Sequence, residues 1–161
     1  MGYGGSLVWL AGLAALAAGA PVSPAQAADK ARITGLSDVA FGTVNVGADQ
    51  TASQNVCAYS DSNTNRYSVT ATGGSGAFEL TSGADALPYE VLWAGSPNQT
   101  GGTSLVAGSA RGGFTSSATH QFCNNGPSTS ASLTIVLRAA TLGSAQAGSY
   151  SGTLLITIAP E

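Results

Sequence analysis

The stretch Ala147-Gly-Ser-Tyr-Ser-Gly-Thr-Leu-Leu-Ile-Thr-Ile-Ala-Pro-Glu161 decides the fold. Tyr150, Leu154, Ile156 and Ile158 recur at period two on one face, and Ser149, Ser151, Thr153 and Thr157 fall mostly on the other. That is the pattern of a β-strand with one buried face. Only Ala159, Pro160 and Glu161 follow Ile158, so the strand is expected to have no later segment to pair with its outer edge. An uncovered edge templates pairing with another chain, which raises the question of a partner before any motif is read.

Working outward, Leu133, Ile135 and Leu137 alternate with Thr134 and Val136, which predicts the last interior strand over residues 132–138. Asn124-Asn-Gly-Pro127 reads as a turn. Residues 94–117 are mostly Gly, Ser, Thr and Asn; Leu105 and Val106 read as a short strand or tether, and Phe114 opens another strand near Gln121, Phe122 and Cys123. Leu87, Tyr89, Val91 and Trp93 alternate with Pro88, Glu90 and Leu92, and Pro88 confines that strand's start to an edge or first position. Tyr67, Val69 and Ala71 alternate with Ser68, Thr70 and Thr72, and Gly73-Gly-Ser-Gly76 is expected to close a hairpin into Phe78 and Leu80.

Further upstream, residues 60–65 form a polar turn cluster after a strand over residues 51–59 that carries Cys57 near its end. In residues 38–47, Val39 and Phe41 share a face, and Gly42 between two extended pieces suggests a bulge or a switch of sheet. Residues 31–33 make a short first segment. No apolar period of 3.6 is sustained after residue 28, so little helix is expected. About seven short strands punctuated by turns predict an all-β chain folded as a β-sandwich.

At the other end, residues 7–20 are an apolar run leading through Pro21 and Pro24 to Ala25-Gln-Ala27. This matches the h-region and cleavage site of a secretory signal peptide over residues 1–27, although residues 1–6 carry no Lys or Arg. The run is too short for the roughly 20 apolar residues of a spanning helix. Residues 28–161 are then expected to form one exported domain with no membrane span. Charged residues make up 8% of the chain and the net charge is -3. The basic residues Lys30, Arg32, Arg66, Arg111 and Arg138 are scattered, which leaves neither a nucleic-acid footprint nor a polybasic membrane patch. In an oxidising compartment the two cysteines, Cys57 and Cys123, are most simply one disulfide.

Catalytic readings find little support. His120 is the single histidine and lies in a polar segment, so any Ser-His or Cys-His site would depend on it. Glu79 and Glu90 are a conceivable glycosidase pair, but a hairpin end and an outward strand position read better as solvated surface. No cluster of His, Cys, Asp or Glu has metal-ligand spacing, and neither metal nor cofactor is expected. Trp93, Tyr89, Tyr59 and Tyr67 could form an aromatic platform for a sugar or an abiotic surface; strand aromatics more often belong to a core. A non-enzymatic role is the expectation.

The ordered landmarks Phe41-Gly-Thr-Val-Asn-Val-Gly47, Val56-Cys57, Tyr67-Ser-Val-Thr-Ala-Thr-Gly73, Leu87-Pro-Tyr-Glu-Val-Leu-Trp93 and residues 147–158 resemble the spore coat protein U domain. That family includes secreted pilins of archaic chaperone–usher pili. The resemblance implies an immunoglobulin-like sandwich lacking its final strand, with Tyr150, Leu154, Ile156 and Ile158 lining an acceptor groove. It further implies a periplasmic chaperone that lends a strand, an outer-membrane usher, and neighbouring pilin subunits that replace the lent strand. The destination would be the cell surface or a pilus, reached through the periplasm, with roles in adhesion and biofilm formation. Family pilins carry an N-terminal donor segment; here residues 28–37 place Ile33 and Leu36 on opposite parities, a poor donor. That departure favours a subunit which accepts a strand and donates none, as at a fibre tip. The alternative is a self-complete secreted coat or surface-binding domain whose first strand shields its last.

Overall fold

The computed structural model describes residues 29–161, so the expected signal peptide over residues 1–27 lies outside the described residues. The chain forms an antiparallel β-sandwich. One sheet has the order β1-β2-β9-β6-β7, built from β1 (Ala31–Thr34), β2 (Gln50–Ser60), β6 (Glu90–Ala94), β7 (Thr103–Ser104) and β9 (Ala131–Leu137). The other has the order β10-β3-β8, from β3 (Arg66–Gly73), β8 (Ala110–Thr115) and β10 (Leu154–Pro160). A separate ribbon joins β4 (Glu79–Ser82) to β5 (Asp85–Pro88), and α1 (Ala139–Leu142) is a single helical turn.

The inward positions of the alternating runs meet between the sheets. Tyr67, Val69 and Ala71 of β3 and Val91 and Trp93 of β6 are wholly buried, packed with Val56, Ala58, Leu133 and Leu137. Tyr67 and Trp93 cross edge to face at 6.4 Å and 85°, and Trp93 Nε1 donates to the Tyr67 hydroxyl at 3.2 Å. Burial raises the Tyr67 phenol above its ordinary pKa, which keeps it neutral as an acceptor. Tyr67→Phe therefore leaves the indole N–H unpaired in the core and is expected to cost about 1–2 kcal/mol, read from urea unfolding midpoints.

Strand β9 is central, and it is buried on both faces. Its inward side carries Leu133, Ile135 and Leu137. On its outward side Thr134 pairs with Ser53 at 2.9 Å, and Ser132 accepts the Gln99 N–H at 3.1 Å. Small hydroxyl residues are accommodated there because each finds a partner: Thr134 in Ser53 of β2, and Ser132 in Asn55 of β2 and in Ser96 and Gln99 of the loop after β6.

Several sequence expectations are corrected. Residues 38–47 form no strand: among the described residues they make no ladder, and the chain passes Gly42 with φ 64°. The glycine turn at residues 73–76 does not return along β3, because β10 and β8 already occupy both edges of that strand. Instead β4 pairs with β5. The run from Leu87 to Trp93 keeps its alternation but splits between two sheets at Tyr89, whose N–H donates to Phe78 O at 3.0 Å. Residues 121–123 are a turn, closed by Cys123 N–H to His120 O at 2.9 Å with Cys123 at φ 51°. The short strand expected at Leu105 and Val106 sits just before them at β7; Leu105 is buried and Val106 is exposed.

Candidate functional site

Strand β10 pairs with β3 along its whole length, from Leu154 opposite Gly73 to Pro160 opposite Tyr67. Its other edge has no ladder partner among the described residues. Beside that edge lies an open groove of about 690 Å³. Leu133, Ile135 and Leu137 of β9, with Leu80, Leu87 and Tyr89, line its apolar floor. One wall is Tyr150 through Leu154 with Ile156; the opposite wall is residues 36–42 with Val44. A smaller pocket of about 220 Å³ continues past Tyr150 and shares Val44, Leu87, Leu142, Gly148 and Tyr150 with the groove.

Three of the four residues expected to line a groove are therefore brought together: Tyr150 and Leu154 half-buried, and Ile156 buried. Ile158 lies outside the groove lining and packs against the core. Tyr150 is fixed by its hydroxyl, which donates to Gln146 O at 3.0 Å. Leu155, on the opposite face of β10, is 63% exposed.

The far wall was not foreseen as a wall. Phe41 and Val44 pack against the core, and Val39 lines the groove, from a segment without a main-chain ladder. Their alternation was legible in the sequence and pointed to a strand. Two anchors hold the segment. Ser37 N–H and Oγ both donate to Gln54 Oε1 at 2.9 Å, and Gln54 Nε2 donates to Ser37 O at 3.1 Å. At the other end, Arg138 grips Glu90 through both carboxylate oxygens, at 2.9 and 2.5 Å, and reaches Asp49 Oδ2 at 2.8 Å. Asp49 Oδ1 accepts the Ala139 N–H at 2.8 Å. No local spacing announces this cluster, since its members lie on three separate segments.

The Ala139 amide and then Arg138 hold Asp49 below its ordinary pKa, and the Arg138 contact holds Glu90 below its own. The arginine is correspondingly raised. Groups with lowered folded pKa values stabilise the fold fully above their ordinary values and lose that contribution as the pH falls through the lowered ones. Acidification from pH 6 to about 2 is thus expected to destabilise the parent more than Arg138→Ala, whose carboxylates lack the cation. The difference is small because all three side chains face solvent. Thermal midpoints across that range for both proteins check it, and equal slopes would contradict it.

The remaining sequence candidates are dispersed. Cys57 and Cys123 are bonded to one another, with Cα atoms 5.9 Å apart, and tie β2 to the loop after β8. His120 lies in that loop, where its Nδ1 faces the Phe122 N–H at 3.4 Å. Glu79 sits opposite Pro88, and Glu90 is engaged by Arg138. Trp93, Tyr67 and Tyr89 are buried, so they form no exposed platform. Among the described residues there is no group of three His, Cys, Asp or Glu placed to hold a metal, and no helix long and apolar enough to cross a membrane.

No family model matches the chain, and no curated protein matches it. Among solved structures, the fold is similar to one described as a chaperone–tip adhesin complex vital for synergistic activation of CFA/I fimbriae biogenesis. The TM-score is 0.53 at 16% identity, over 81% of this chain and 41% of that one. The present chain thus spans about two fifths of that chain's length, and the likeness is one of fold.

Proposed function

We propose that the protein is a secreted structural or adhesive pilus subunit that accepts a donor strand along the outer edge of β10. The observation that carries this reading is the open apolar groove between an unpaired strand edge and a wall without a ladder. A strand laid there would hydrogen-bond to β10 and send alternate side chains onto Leu133, Ile135 and Leu137, the geometry of strand addition. The fold it shares with a chaperone–tip adhesin complex supports the same reading; the motifs at residues 41–47 and 147–158 that resemble the spore coat protein U domain are in keeping with it. The partners in this account are a periplasmic chaperone, an usher and other pilin subunits, and the role is not catalytic.

Within the fibre the protein is a strand acceptor rather than a shaft subunit. Residues Ala31 to Thr34 are already paired with β2 in the chain's own sheet, which leaves them unavailable for donation. The self-complete alternative predicts that β1 closes the edge of β10, yet β1 is laddered to β2 alone among the described residues. The test is capture of a nine-residue peptide of alternating valine and threonine. A one-to-one complex that survives gel filtration is expected, and failure to retain the peptide at any concentration would sink the proposal.

A further inference from the structure

Phe122 is the one aromatic side chain among the strongly exposed large hydrophobic residues described, at 47% exposure. A ring left in water on a flexible loop means little, but this loop is held firmly. Cys123, its neighbour, is bonded to Cys57 of β2. Thr119 Oγ1 donates to Asn125 O at 2.5 Å, and the Cys123 N–H donates to His120 O at 2.9 Å. Tyr59, on β2, packs against the disulfide.

Two polar groups flank it. The guanidinium of Arg32, on β1 opposite Tyr59, lies over the ring with its carbon 4.0 Å from the centroid. The His120 ring is 6.0 Å away, tilted by 32°. Arg32 has no carboxylate within ion-pair distance among the described residues, unlike Arg66 and Arg138. Asp61 accepts the Lys30 main-chain N–H and makes no ion pair with Arg32. Stacking on Phe122 therefore orients the guanidinium while leaving its N–H edge free for a planar anion.

We propose that Phe122, Arg32 and His120 form a contact site for a glycan bearing a carboxylated sugar. The sugar's C–H face packs on the uncovered part of the Phe122 ring, its carboxylate takes the N–H edge of Arg32, and His120 meets a hydroxyl. A protein partner fits less well: Phe122 is the single exposed large hydrophobic on its loop, and one ring offers far less than the roughly 800 Å² per side of a stable protein interface. The site is separate from the groove and does not depend on strand capture.

The experiment is an amide chemical-shift titration of the protein with a galacturonic-acid oligosaccharide, its fully methyl-esterified form, and a polyglutamate peptide. Saturable shifts at Arg32, His120 and Phe122 are expected with the acid form, weakened at least about tenfold by esterification, by Phe122→Ala or by Arg32→Ala. Both substituted residues are solvent-facing, and unchanged thermal midpoints establish that the variants fold. Absence of saturable shifts, or equal binding by the variants, overturns the proposal. Polyglutamate binding as tightly as the oligosaccharide also overturns it, in favour of an acidic protein partner.

Discussion

Leu154→Asp is expected to weaken donor-strand capture about 100-fold or more, while Leu155→Asp leaves it within about twofold of the parent. The two leucines are neighbours on one strand and differ only in the face they present. Leu154 lines the groove, and Leu155 is 63% exposed on the opposite side of the sheet. A carboxylate at position 154 would be covered by the incoming strand without a cation to meet it, since among the described residues the one charged member of the groove lining is Asp38. Burying it unpaired, together with the lost apolar contact, costs about 3 kcal/mol or more. Fluorescence anisotropy of a labelled donor peptide measures both variants, and the Leu155 change serves as the control for strand propensity. Comparable losses in the two would mean that the peptide binds elsewhere.

Removing the disulfide is the second large effect. Cys57 and Cys123 are separated by 66 positions, so the bond closes a long loop across β3 to β8. Chain-entropy arguments put its contribution at roughly 4 kcal/mol, against a total stability of about 5–15 kcal/mol for a domain of this size. The double variant Cys57→Ser with Cys123→Ser is therefore expected to unfold at much lower urea concentration. Its denaturant slope should also steepen, because an unfolded chain free of the cross-link exposes more surface. An unchanged midpoint would mean that the loop is held by its hydrogen bonds instead.

Much of the fold was legible because alternation survives packing. The inward sets Tyr67, Val69 and Ala71, then Leu87, Tyr89, Val91 and Trp93, then Leu133 and Leu137, are all buried in the structure. Strand boundaries and partners were harder, since alternation says which face a residue takes and nothing about which edge is free. The glycine turn at residues 73–76 looked like a hairpin because the sequence does not show that β3 is flanked on both sides. Residues 38–47 looked extended because Val39 and Phe41 do share a side, both lining the groove, without a ladder to any strand.

The site divides in the same way. Tyr150, Leu154 and Ile156 could be placed on one wall from their period alone, whereas Ile158 shares the period and falls beyond the groove. Arg138, Glu90 and Asp49 meet only through the fold, and so do Arg32 and Phe122. Long-range pairs of that kind leave no local trace in a sequence.

Amide hydrogen exchange along β10, with and without the alternating peptide, tests the central claim most directly. Alternate amides of Leu154 to Ile158 point away from β3 toward the groove. The account predicts fast exchange at those amides in the free protein and slowing by about 100-fold or more when the peptide is bound, with the β3-facing amides protected in both states. Groove-facing amides that are already protected in the free protein, or that ignore the peptide, would contradict it.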